Sequence, residues 1–66
     1  MATTIKVTCT TNAYASQPSK LEREIGIGRC KHNGGKVIIL TVDESDVTEA
    51  TTRLDAIAQV AAYEVR

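Results

Sequence analysis

Cys9, Cys30 and His32 are the side chains of this chain best suited to nucleophilic or metal chemistry, and their spacing suits neither. Cys30-Lys31-His32 with Cys9 elsewhere offers at most three ligands and no Cys-x-x-Cys pair, whereas structural zinc takes four. The single histidine sits beside a turn signal, with no serine at a recognisable elbow and no evident orienting acid. Glu22 and Glu24 flank Arg23 with Lys20 nearby, which reads as a solvated face rather than an acid–base pair. The acidic run from Asp43 to Asp46 lacks the glycine and the closing glutamate of a calcium loop. Gly26-Ile27-Gly28 would need a further glycine where Lys31 stands to make a dinucleotide fingerprint, and Gly34-Gly35-Lys36 runs into a strand rather than the helix of a Walker loop. No catalytic residue, metal site or cofactor is expected, and the chain reads as a non-enzyme.

What the residues do suggest is recognition. Lys20, Arg23, Arg29, Lys31, His32 and Lys36 gather in the middle of the sequence, a basic cluster suited to a phosphate, a nucleotide or an acidic protein patch. The same cations would equally serve to protect sheet edges and keep a small domain soluble. The Asn12-Ala-Tyr14-Ala-Ser-Gln17 stretch sets one aromatic among small polar residues, a composition that suits an adaptable binding loop, with Tyr14 as its anchor or else packed beneath it. The expected partner-binding set is Asn12, Tyr14, Gln17, Lys20, Arg23, Arg29, Lys31 and His32.

The elements that must position these residues follow from periodicity. Ile5-Lys-Val-Thr-Cys-Thr10 alternates apolar and polar residues and predicts a strand with one wet face. Thr11 to Lys20 shows no sustained period and carries Pro18, so a long loop is expected, with room for a helical turn at Ser19 to Glu24. Glu24 to Lys31 and Lys36 to Val42 read as two arms of a hairpin closed at Asn33-Gly34, the dipeptide that favours a type I′ turn. Val47, Ala50, Leu54, Ile57, Ala58, Ala61 and Val65 recur at steps of three and four, which predicts an amphipathic helix from about Asp46 to the C-terminus. The fold class is therefore α+β: a single domain over 1–66 with a three-stranded antiparallel sheet and one C-terminal helix packed on one face.

Such a domain is marginal. A chain of this length buries only about 60% of its unfolded surface, and with no Phe and no Trp its core must come from Ile, Val, Leu and Ala. Cys9 and Cys30 permit one bridge if their strands are neighbours; the alternative is two reduced, buried thiols in a cytosolic protein. The segment Lys36-Val-Ile-Ile-Leu-Thr-Val42 is apolar on both faces, and one helix covers only one of them. Ile38, Leu40, Val42 and Tyr63 are accordingly expected at a homodimer interface, unless the loop around Tyr14 and Leu21 folds over the second face.

Formal net charge is zero, but the basic residues concentrate before Val42 and the acidic ones after it. Neutrality and the shortage of aromatics argue against nucleic acid as a partner, and no segment reaches the roughly 20 apolar residues of a membrane span. The N-terminus has no basic and apolar leader pattern, so a cytoplasmic protein is expected. The expected function is a non-catalytic protein-binding module, an inhibitor or adaptor of bacterial or phage accessory type acting as a homodimer. The rival is a binder that sequesters a small anionic ligand or nucleotide between subunits with the basic hairpin residues.

Overall fold

The computed structural model describes residues 1–66. Strand β1 spans Ala2–Cys9, followed by a one-turn helix α1 at Asn12–Ala15 and a helix α2 at Pro18–Ile25. Strands β2, Arg29–His32, and β3, Val37–Asp43, form a hairpin. A 3-10 turn at Glu44–Asp46 leads into helix α3, Val47–Ala56, and the chain ends in strand β4, Val60–Val65.

The sheet has the order β2-β3-β1-β4 with every neighbouring pair antiparallel. Strands β1 and β2 are therefore parallel with β3 between them, and β3 and β4 are parallel with β1 between them. These are two interleaved β-α-β crossovers, the split β-α-β topology called ferredoxin-like. The α+β class is as expected; a fourth strand and two further helices were not.

The C-terminal helix stops short. Val47, Ala50, Leu54 and Ile57 do form one apolar stripe, but after Ala56 the chain turns and Val60–Val65 pairs with the free edge of β1. Ala61 and Val65 fall on the helical period only by coincidence. Tyr63 consequently belongs to a strand, and its hydroxyl donates to Asp55 Oδ1 of α3 at 2.9 Å.

The expected loop at Thr11 to Lys20 is mostly helix. Thr11 caps α1 by accepting the Tyr14 N–H at 3.2 Å. Pro18 opens α2 at a position where its missing N–H and fixed φ cost nothing, and Gly26 at φ +76° closes it. Leu21 and Ile25, one turn apart, are fully buried against the sheet. Arg53 of α3 donates to the Ile25 carbonyl, placing a cation at the C-terminus of α2. The first hairpin arm is shortened to match, since Ile25 is helical and Gly26 to Gly28 form a bend.

The hairpin itself is present, but the central positions of its turn are Gly35-Lys36, two residues later than Asn33-Gly34. Gly34 and Gly35 hold the positive φ angles, +94° and +56°, while Asn33 does not. Val37 N–H donates to Gly34 O at 3.1 Å, so the reversal runs over Gly34–Val37.

All three helices lie on one side. Ile5, Val7 and Cys9 of β1 and Ile38, Leu40 and Val42 of β3 meet Tyr14, Ala15, Leu21, Ile25, Ala50 and Leu54 in a single cluster. Ile38 and Leu40 are 0% exposed and Val42 2% within one chain, which removes them as a dimer interface. The reason is the extra cover: α1, α2 and α3 together seal this face, and Tyr63 packs against the same cluster from β4. Cys9 and Cys30 are both free, and β3 separates their strands, so the neighbouring pair that a bridge requires is missing. No helix is long and apolar enough to cross a membrane.

Candidate binding face

The face of the sheet opposite the helices is uncovered, and the register fixes what it displays. Side chains directly opposed in an antiparallel pair share a face. Lys31, Ile39, Lys6 and Glu64 therefore form one row across the four strands. Arg29, Thr41 and Thr4 form the next, and Val37, Thr8 and Ala62 the one beyond. With strands about 4.8 Å apart, Lys6 and Lys31 rise from backbone positions roughly 10 Å apart on either side of Ile39.

Val37 and Ile39 are half-buried, and so are Thr4, Lys6 and Thr8, whereas Arg29, Lys31 and Thr41 are exposed. Ile39 is thus a small apolar centre ringed by cations and threonines, where the lysine stems can cover hydrocarbon and keep their ammonium groups in water. The ion pairs of the chain lie elsewhere: the Met1 amino group with Asp43 at 3.8 Å, Arg53 with Glu49 at 2.8 Å, and Arg66 with Glu64 at 3.8 Å. Lys6, Arg29 and Lys31 have no carboxylate partner, and the one acid in their row, Glu64, is engaged by Arg66. The face therefore carries uncompensated positive charge although the whole chain is neutral.

Gly28 delivers Arg29 to this face. It sits at φ +74°, and a Cβ there would run into Val42 Cγ1 and approach the Thr41 carbonyl to 2.5 Å. The chain leaves α2, passes flush against β3 at Gly28, and enters β2 with Arg29 directly opposite Thr41. At this end of the sheet Gly28, Arg29, Thr41, Val42, Asp43, Met1 and Ala2 border an open recess of about 380 Å³.

The sequence-expected binding residues divide between two sides. Arg29 and Lys31 are on the open face. Asn12, Gln17, Lys20 and Arg23 are exposed on α1, α2 and the link between them, in the helical layer. Tyr14 is not an exposed anchor: it is 9% exposed, and its hydroxyl donates to Glu24 Oε2 at 3.3 Å. Burial, and then the Glu24 carboxylate, push its pKa up to about 12. His32 is exposed at the hairpin end, where Nε2 lies 3.2 Å from the Gly35 carbonyl and so donates to it. Its place in β2 gives it the parity of Cys30, not that of Arg29 and Lys31. These eight residues do not form one surface.

Neither thiol is set up as a nucleophile. Burial raises Cys9, and Cys30 is pushed up to about 12 by burial first and then by the Glu22 carboxylate and Cys9. Glu22 acts structurally, accepting the outward N–H of Cys30 at 3.0 Å on the edge strand. The glycines at 26 and 28 follow a helix instead of leading from a strand into one, so the β-α-β crossovers supply no phosphate-binding turn there.

Lys6 is the binding-face residue that the sequence reading missed. Its signal was present, since Ile5-Lys6-Val7 places it on the wet side of β1. What was lacking was the strand order that sets it beside Ile39 and, one strand further, Lys31. Comparison with known proteins finds no family model that matches the chain, and no curated protein or solved structure similar to it.

Proposed function

We propose that this protein is a non-catalytic binding module, an inhibitor or adaptor, that holds an acidic protein partner on the helix-free face of its sheet. Lys6, Arg29 and Lys31 supply the charge and Ile39 the apolar centre. The observation that carries this reading is the register row Lys31–Ile39–Lys6, flanked by Arg29 and free of ion pairs. An interface of this kind gains specificity and association rate from its charge and affinity from a small desolvated centre. Nucleic acid fits the face less well, because the central strands offer it no aromatic platform on which bases could stack. Cys9 is buried and Cys30 half-buried, and burial raises the pKa of both thiols rather than activating them, which also favours binding over catalysis.

The test is capture of partners from native lysate by the wild-type chain and by a Lys6→Glu/Arg29→Glu/Lys31→Glu variant at two salt concentrations. The wild type should retain a partner that salt weakens and the reversed variant loses. Unchanged capture by the variant would reject the face.

A second reading rests on the recess at the β2–β3 end, where glycine backbone and the Arg29 guanidinium lie together. An anionic small ligand or nucleotide would place its charge on Arg29 there, although Asp43 on the same rim opposes it. A thermal-shift screen with nucleotides separates the two: stabilisation by several degrees with one compound favours the ligand reading.

A further inference from the structure

The two edges of the sheet are finished differently. At the β2 edge the outward N–H of Cys30 is already taken by Glu22, the strand is only four residues long, and Arg29 and Lys31 flank it. Short length, charge and a satisfied donor all discourage addition of another strand. The β4 edge has none of this cover in its middle. Arg66 N–H donates to Thr4 O at 2.8 Å, and bonded pairs alternate along an antiparallel ladder. Glu64 with Lys6 and Ala62 with Thr8 are therefore the bonded pairs, and the N–H and C=O groups of Tyr63 and Val65 point away from β1. The hydrogen bonds outside the ladders leave these outward groups untouched; Tyr63 contributes only its hydroxyl, to Asp55.

Beside this edge Leu54, Asp55, Val60, Ala61, Ala62 and Tyr63 line a recess of about 410 Å³. Its lining residues are mostly apolar by type, but the surface they present is mainly polar, including the exposed Asp55 carboxylate and the Tyr63 hydroxyl bonded to it. Glu64 on the same strand is paired with Arg66, whereas Asp55 has no cation partner. A side chain ending in a cation is the one whose chemistry matches a polar recess with a carboxylate at the mouth.

We infer that the β4 edge takes up an extended peptide segment carrying a lysine or arginine, whose backbone pairs with Tyr63 and Val65 and whose side chain enters the recess toward Asp55. Strand addition supplies main-chain hydrogen bonds, and the recess and its acid supply side-chain selectivity. A second copy of this chain fits the edge less well. The chain's own cationic strand, β2, lies at the sealed edge. The inference is independent of the cationic face, since Asp55, Tyr63 and Val65 take no part in it.

The test uses the full isotope-labelled chain and two capped eight-residue peptides, one alternating threonine with lysine and the other threonine with glutamate. The lysine peptide should shift the resonances of residues 60–66 and slow amide exchange at Tyr63 and Val65; the glutamate peptide should do neither. Asp55→Asn keeps an acceptor for the Tyr63 hydroxyl and should weaken the lysine peptide about three-fold, the scale of one exposed charge pair. Val65→Pro removes an outward donor without touching a ladder bond and should abolish the protection at Tyr63. Equal binding of both peptides, or shifts confined to other strands, overturns the inference. Protection that grows with protein concentration in the absence of peptide also overturns it and gives the edge to a second copy.

Discussion

Replacing Gly28 with alanine tests the junction on which the cationic face depends. Two costs arise there, and the structure separates them. The first is conformational: at φ +74° an L-residue is in the left-handed region, which costs about 1–2 kcal/mol. The second is steric. The new methyl would overlap Val42 Cγ1, lie 2.5 Å from the Thr41 carbonyl and 3.2 Å from Leu40 Cδ1. None of these can step aside cheaply, because Leu40 and Val42 are core residues and the Thr41 carbonyl belongs to the central strand β3. Forcing a methyl into a packed site costs about 1–3 kcal/mol, for a sum of roughly 2–5 kcal/mol.

Gly35→Ala provides the control. Its φ of +56° is also left-handed, yet nothing lies within 4 Å of a Cβ built there, so only the conformational cost of about 1–2 kcal/mol applies. A domain of this size holds about 3–10 kcal/mol in total, so Gly28→Ala should leave it close to unfolding while Gly35→Ala should not. Urea titration gives both losses at constant m. In a thermal melt each kcal/mol corresponds to about 4–8 °C, so Gly28→Ala should lower Tm by about 8–40 °C and Gly35→Ala by about 4–16 °C. Equal losses in the two variants would refute the close approach of Gly28 to β3, and with it the placement of Arg29.

Three further expectations follow from the same geometry. Ile38→Ala should cost about 2–5 kcal/mol in urea unfolding and Ile39→Ala about 1 kcal/mol, because only the first side chain is sealed under the helices; similar losses would mean that the face assignment is wrong. Cys30 and Tyr14 have folded-state pKa values raised to about 12 from 9.0 and 10.0, so below about pH 9 both are protonated in either state and their stabilisation is fully present. As pH rises toward 12 the unfolded chain loses these protons first, so stability should fall across that window, and Cys30→Ala should flatten the decline measured by urea titration at pH 8 and pH 10.5. Glu22→Ala should cost about 1 kcal/mol and speed amide exchange at Cys30, since the N–H it exposes is on an edge strand; unaltered exchange would deny Glu22 its edge-capping role.

The parts of the fold legible in the sequence were those with a single period. Ile5-Lys-Val-Thr-Cys gave β1 and its wet face by alternation, and Val47, Ala50 and Leu54 gave α3. The segment from Gln17 to Gly28 carries two signals at once. Pro18 and Gly26 bracket a helix whose core residues are Leu21 and Ile25, while Ile25-Gly-Ile27-Gly alternates like a strand. With two large apolar residues the helical stripe is short, and local pattern alone does not decide between them; packing of Leu21 and Ile25 beneath the sheet does. The tail fails for a related reason. Val60-Ala-Ala-Tyr-Glu-Val has alanines that suit a helix, and only the vacant edge of β1 makes it a strand. Of the binding face, Arg29 and Lys31 were legible as cations on one parity. Their assembly with Lys6 and Ile39 depends on strand order, a long-range property that no local window holds.

The mistaken tail also explains where the apolar surplus of β3 goes. One helix and three strands would leave Ile38, Leu40 and Val42 needing a second molecule; three helices on one side of a four-stranded sheet leave only Val37 and Ile39 partly uncovered. That remainder is small, and its neighbours decide what can cover it. Stacking two copies through this face would bring Lys6, Arg29 and Lys31 of one against the same residues of the other, six cations around one apolar patch with Glu64 already engaged by Arg66. Desolvating like charges against each other costs more than the burial of four half-covered aliphatic side chains, two from each copy, returns. A surface bearing carboxylates around an apolar knob reverses that sign at every contact, so an acidic partner suits this face better than self-association does. Arg29→Glu with Lys31→Glu should accordingly ease self-stacking while abolishing capture of such a partner, a pair of opposite responses that sedimentation and pull-down on the same protein would read together.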